Sequence, residues 1–126
     1  MMIYGIGHDI VENKRIANLI KEHGDRFLDK ILSKQEHEIY EQQINNVNYV
    51  AKRFAAKEAF AKGCGTGLRS PIVMRNISVL NDELGKPYFV FNDSINFWLM
   101  VRKICSCHIS ISDDELMSSA FVVLEV

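Results

Sequence analysis

Glu58 and Lys62 stand one helical turn apart in the stretch Tyr49–Gly67, YVAKRFAAKEAFAKGCGTG, and they open the chemical reading of this chain. Lys, Arg, Ala, Phe and Glu are mostly good helix formers, and no Pro or Gly interrupts them until Gly63. The stretch therefore predicts one helix running into a glycine-rich loop. At about 100° per residue, Val50, Ala51, Phe54, Ala55 and Ala59 fall on one broad apolar face, with Glu58 and Lys62 inside it. Lys52, Arg53 and Lys57 fall outside that face, with Phe60 as an additional apolar residue there. A carboxylate in a face that enters the core must be paired, hydrated or metal-bound, because a charge left alone in a dry site costs several kcal/mol. One reading is an i,i+4 ion pair between Glu58 and Lys62, worth about 0.3–0.5 kcal/mol. The other is a binding site. It draws support from the lysine and glycine loop directly downstream, and from a second acid, Asp9, near the N-terminus.

Asp9 follows the apolar, glycine-broken opening MMIYGIGHDI and precedes a helix read over Val11–His23, which stops at Gly24. Glycine inside a strand marks a bulge or a close backbone approach. At a strand-to-helix junction, Asp9 either caps the helix or presents an acid to whatever binds there. Asp9 and Glu58 are then two hard oxygen donors from distant parts of the chain. So sparse a pair suits Mg²⁺, which keeps several waters and takes further ligands from substrate phosphates.

Other phosphate and metal readings fail on spacing. The run Gly63-x-Gly65-x-Gly67 matches neither the P-loop nor the dinucleotide fingerprint. It also follows a helix, and the C-terminal end of a helix repels anions. Phosphate binding here would rest on Lys62, Thr66, the loop amides acting as a nest, and a metal. Cys105 and Cys107 would share one face of a strand while His108 points to the other, and no second Cys/His pair completes a zinc site. Cys64 reads as a small core residue.

These residues need elements to position them. The 126 residues suit one domain, 1–126, large enough for a core and too small for two. A net charge of −1 gives no basic character that would argue for nucleic acid. No apolar run is long enough to span a bilayer, the N-terminal residues lack a signal-peptide layout, and three cysteines make no disulfide framework. A cytoplasmic protein is expected. Arg26–Ile44 reads as helical, with a capping box at Ser33-Lys34-Gln35-Glu36 that starts a new helix. Leu68–Arg75 is a loop carrying Arg69 and Arg75. Ile77–Leu80 and Tyr88–Phe91 form a hairpin around NDELGKP, Asp93–Ile104 is a helix, and Cys107–Ser112 and Ser118–Val126 are strands. The order predicts an α+β fold, a mainly antiparallel sheet with one face packed on the long central helix. Lys14, Arg15, Lys21, Arg26, Lys30 and Lys34 cluster in the first helices, but Glu12, Glu22, Asp25 and Asp29 dilute them.

GIGHDIVENKRI at 5–16, RFAAKEAFAKGCGTG at 53–67, NDELGKP at 81–87 and HISIS at 108–112 together resemble the holo-acyl-carrier-protein synthases. These are the small bacterial class of 4′-phosphopantetheinyl transferases, and the resemblance runs from Met1 to Val126 with its motifs in order. It implies their fold and a Mg²⁺-dependent transfer of the phosphopantetheine arm of coenzyme A to a serine of apo-acyl carrier protein. Adenosine 3′,5′-bisphosphate is released, and the pathway served is fatty acid biosynthesis. The family's metal ligands match Asp9 and Glu58. Its pyrophosphate-contacting lysine matches Lys62, and its glycine loop matches Gly65, Thr66 and Gly67. The resemblance leaves the general base open among Asp9, Glu58 and a metal-bound water. It also implies a homotrimer with active sites between subunits, Asp9 and Glu58 from one chain and nucleotide contacts from its neighbour. The first-helix arginine that meets the acidic carrier matches Arg15, with Lys14, Lys21 and Arg26 as neighbours.

One position departs from the family. A His usually follows its terminal Ser-Ile-Ser/Thr strand, and here Asp113 and Asp114 stand instead. No nucleotide-binding role carries over to Asp113, and two acids near phosphates should weaken coenzyme A binding. This motivates an alternative, a degenerate paralogue that binds coenzyme A or carrier protein without transfer. A third reading is a purely structural or oligomer-forming α+β module with Glu58–Lys62 as a core ion pair, which predicts no effect of Mg²⁺.

Overall fold

A computed structural model describes residues 2–126, so Met1 of the strand-like opening lies outside the described residues. β1 (Ile3–Glu12) alternates across its length, with Gly7 and Val11 buried and Ile6, His8 and Ile10 exposed. It passes directly into α1 (Asn13–His23), which ends at Gly24 with φ 55°. Asp9 therefore caps nothing. It sits inside the strand opposite Ala120, and the N-cap position of α1 is Glu12, whose side chain makes no capping bond.

The helical stretch expected over Arg26–Ile44 is two short helices, α2 (Asp25–Ile31) and α3 (Lys34–Tyr40). The Ser33–Glu36 capping box is present in both directions and starts α3 as the motif predicts. Residues 41–45 are not helical. Then come α4 (Asn46–Cys64), a 3₁₀ turn (Met74–Asn76), β2 (Ile77–Asn81), β3 (Pro87–Phe91) and α5 (Asp93–Val101). β4 (Ser106–Asp113) and β5 (Met117–Glu125) close the chain. One sheet has the antiparallel order β1-β5-β4, and β2-β3 is a separate hairpin. The expected α+β arrangement on a long central helix is what forms.

The environment of α4 differs from the wheel. The helix packs on β1 and β5 and also contacts β2, α1, α2 and α3, so it is buried almost all round. Arg53, Lys57 and Phe60, assigned outside the core face, are all buried. Phe60 packs on Phe89 and Phe91, with ring centroids 5.2 and 4.7 Å away. Arg53 lies over the Tyr49 ring, 4.0 Å from its centroid, and donates to the Asn81 side-chain oxygen at 2.7 Å. Past Lys52, only Phe54, Glu58 and Lys62 escape burial. Their i,i+4 spacing makes them one open stripe along an otherwise covered helix. The buried ion pair of this helix is Lys57 with Glu36 of α3, not Glu58 with Lys62.

Candidate active site

β1 reaches α4 because glycines and alanines remove the side chains between them. A Cβ on Gly5 would meet the Gly63 carbonyl oxygen at 2.0 Å, and one on Gly7 would meet that of Ala59 at 1.8 Å. Both distances are impossible for a real side chain, so only glycine permits this contact. A register shift between Ile3 and Gly5 accompanies it. The next inward-facing residue along β1 is Asp9, delivered to the open stripe of α4.

There the Lys62 ammonium donates to an Asp9 carboxylate oxygen at 3.1 Å and to the His8 carbonyl oxygen at 2.9 Å. Asp9 is mostly enclosed, its side chain 16% exposed, whereas Lys62 is 52% exposed. The expected Glu58–Lys62 ion pair does not form, because Lys62 leans across to the strand. Burial raises the Glu58 pKa and the neighbouring Asp9 carboxylate raises it further, while Lys62 and Arg15 oppose them. Burial and the Asp9 charge thus both disfavour the Glu58 carboxylate, and a divalent cation held nearby would favour it. Hard oxygen donors suit Mg²⁺, and the residues fit it.

The glycine loop begins where α4 ends. Gly65 caps the helix with φ 79° and Gly67 has φ 65°, both left-handed. The Thr66 hydroxyl donates to the Gly67 carbonyl oxygen at 2.8 Å. Gly65 N–H returns to Lys62, whereas the amides of Thr66, Gly67 and Leu68 make no hydrogen bond among the described residues. Successive unpaired amides in such a turn suit an anion, and Lys62 stands at the same end of the helix.

Beside Glu58 lies a cleft of about 330 Å³, lined by Lys30, Ile31, Phe54, Leu68, Val73, Met74 and Arg75. Sequence reasoning singled out none of these as lining a site. Arg75 and Leu68 fall in the loop that follows the glycines, which was the one available signal. Lys30 and Ile31 reach the cleft only through the packing of α2 on α4. Of the expected docking residues, Arg15 is closest to the chemistry: it acts on Glu58 and its guanidinium sits 5.5 Å from the centre of the Phe54 ring. Lys14, Lys21 and Arg26 are exposed, and Arg26 borders a smaller hollow with His23, Phe27 and Lys30. Asp113 accepts a hydrogen bond from Asn48 at 3.3 Å, and Asp114 binds the Leu116 and Met117 amides in a turn. Cys64 is buried as expected.

The signature of the 4′-phosphopantetheinyl transferase superfamily matches residues 5–111. The chain is 49% identical over 124 residues to a holo-[acyl-carrier-protein] synthase of Nitrosomonas eutropha, covering 98% of this chain and 99% of that one. A crystal structure of the holo-[acyl-carrier-protein] synthase from Neisseria meningitidis is similar with a TM-score of 0.97 at 48% identity, covering 99% of this chain and 100% of that one. The Bacillus anthracis holo-(acyl-carrier-protein) synthase in complex with CoA (3′,5′-ADP) superposes with a TM-score of 0.83 at 34% identity, over 98% and 97% of the two chains.

Proposed function

The chain belongs to the 4′-phosphopantetheinyl transferase superfamily, and we propose that Asp9, Glu58 and Lys62 are the residues through which it works. It transfers the 4′-phosphopantetheine group of coenzyme A to a serine of apo-acyl carrier protein, and the whole of 1–126 is taken as one transferase domain. The observation that carries the site is the meeting of Asp9 with Lys62 and Glu58 across the glycine contact of β1 and α4.

Asp9 and Glu58 would hold Mg²⁺, which when bound supplies positive charge to the pyrophosphate and to the departing bisphosphate. Lys62 is exposed enough to turn its ammonium from Asp9 toward a phosphate oxygen, acting as a point charge. The unpaired amides of Thr66, Gly67 and Leu68 orient the same phosphates. The carrier serine oxygen forms a bond to the phosphorus bearing pantetheine. The bond from that phosphorus to the bridging oxygen breaks, and adenosine 3′,5′-bisphosphate leaves with the electron pair. The serine proton is lost to solvent or a neighbouring carboxylate.

Carrier docking falls to Arg15, Lys14, Lys21 and Arg26, whose steering of an acidic partner weakens with salt. The homotrimer expected for the family is supported by the outer face of the three-stranded sheet. There Ile6, Ile10 and Phe121 are exposed on the side away from α4. No helix is long and apolar enough to cross a membrane among the described residues, and the three cysteines are free. Both support the expected cytoplasmic location.

The test is mass spectrometry of purified apo-acyl carrier protein incubated with this protein, coenzyme A and Mg²⁺. A gain of one phosphopantetheine, abolished by chelator and by Glu58→Ala, is the expected result. Folded protein that binds coenzyme A but modifies no carrier would sink the assignment and favour the degenerate paralogue.

A further inference from the structure

Glu36 and Lys57 are the most deeply buried charges in the protein, each with no side-chain exposure, and the transfer uses neither. The Lys57 ammonium donates to the Ile31 carbonyl oxygen at 2.6 Å and to one Glu36 carboxylate oxygen. That oxygen also accepts from the Ser33 amide at 2.9 Å, and its twin accepts from the Val79 amide at 2.8 Å. Ile31 ends α2 and Ser33 precedes α3. A cation thus meets the carbonyl end of one helix and a carboxylate the amide end of the next, both in the favourable sense. Val79 belongs to β2, which among the described residues pairs only with β3, and its carbonyl accepts from Arg53 at 3.2 Å. Side chains of α3 and α4 stand where a further strand would otherwise cover that edge.

The partners of this pair lead to the cleft beside Glu58. Ile31 and Lys30 of α2 line one part of it, and Val73, Met74 and Arg75, running into β2, line another. Phe54 and Glu58 come from α4, the helix that carries Lys57. We infer that Glu36 and Lys57 are positioning residues, whose ion pair fixes the α2 and β2 sides of the cleft beside Glu58, taken as the place where coenzyme A lies next to the proposed site. A role in stability alone is a poor account of the pair, because well-packed apolar residues often replace buried ion pairs without loss. What an apolar pair cannot supply is a hydrogen bond to each side of the cleft.

This inference rests on the transferase reading, and the experiment separates the two. Steady-state transfer is measured for wild type, Lys57→Met and the double variant Glu36→Leu/Lys57→Met, which removes the side-chain bonds to both Ile31 and Val79, well below each melting temperature. The double variant leaves no buried charge stranded, so it remains foldable where Lys57→Met does not. KM for coenzyme A is expected to rise about tenfold in the double variant, with kcat falling less than about threefold. Lost stability alone removes active molecules and lowers apparent kcat at constant KM. An unchanged KM in the double variant therefore overturns the inference, whatever its melting temperature. If wild type transfers nothing, the reaction assignment fails instead, and calorimetric titration with coenzyme A decides. Weaker binding by the double variant then supports positioning, and equal binding overturns it.

Discussion

A Cβ atom on Gly7 would stand 1.8 Å from the carbonyl oxygen of Ala59, so strand and helix meet backbone to backbone beside the site. Gly7 lies two residues before Asp9, and Ala59 directly follows Glu58. Gly7→Ala must push β1 off α4. We expect destabilisation of about 1–3 kcal/mol, the range for overpacking, measured by denaturant titration. Transfer should fall further than the folded fraction does, because Asp9 moves with the strand. A folded Gly7→Ala protein with wild-type activity would show that this contact does not set the site.

Lys62 separates stability from function. Its ion pair with Asp9 is half exposed, and such pairs contribute about 0–1 kcal/mol. Lys62→Met should leave the melting temperature within about 4 °C of wild type while lowering kcat/KM at least about 100-fold, the scale for losing a charged group that stabilises the transition state. A variant with near-normal turnover would remove Lys62 from the mechanism.

Metal binding has a readout that needs no turnover. The Asp9 charge adds to burial in disfavouring the Glu58 carboxylate, so Mg²⁺ bound between them should raise the melting temperature of the wild type. At a concentration about 100 times its dissociation constant the gain is about 2.7 kcal/mol. Glu58→Ala should lose most of that shift. Equal shifts in both proteins would place the metal elsewhere.

The cysteines should differ sharply in reactivity. Burial pushes the Cys64 thiol up to about 12, with Cys107 nearby adding to it, and burial likewise pushes Cys107 up to about 11. A raised thiol pKa lowers the reactive thiolate fraction, to about one in a thousand or less at pH 8 for both. Cys105 is exposed. Iodoacetamide at pH 8 should modify one cysteine of the native protein and all three after denaturation, counted by intact mass. Rapid native labelling of Cys64 would show that its end of α4 opens.

The outer sheet face gives the oligomer test. Phe121 is exposed between His8 and Ser110 of the flanking strands. Light scattering on the wild type should return three copies of the 14.4 kDa chain. Phe121→Asp should give a smaller species with much reduced transfer, since nucleotide contacts from the neighbour would be lost. A wild-type monomer with full activity would exclude sites between subunits.

Much was legible in the residues themselves. Element types follow from local pattern and punctuation: the Ser33–Glu36 capping box starts α3, Gly24 stops α1, and NDELGKP turns the β2–β3 hairpin. Each depends on atoms a few residues apart, which sequence order already places together. The motifs around Asp9, Glu58, Lys62 and Gly65–Gly67 also pointed to the proposed site before any contact was known.

Pairing was decided only by the tertiary structure. A helical wheel shows which residues share a side but not how many neighbours will cover the helix. With strands, a hairpin and three helices around α4, Lys57, Arg53 and Phe60 became core, while Phe54, Glu58 and Lys62 became the open stripe. Lys62 chose Asp9, 53 residues away, over Glu58 one turn back, and Lys57 found Glu36, 21 residues away. Such partners are selected by where the packed elements bring side chains and by which charges lose their water. Neither quantity exists until the chain has closed on itself.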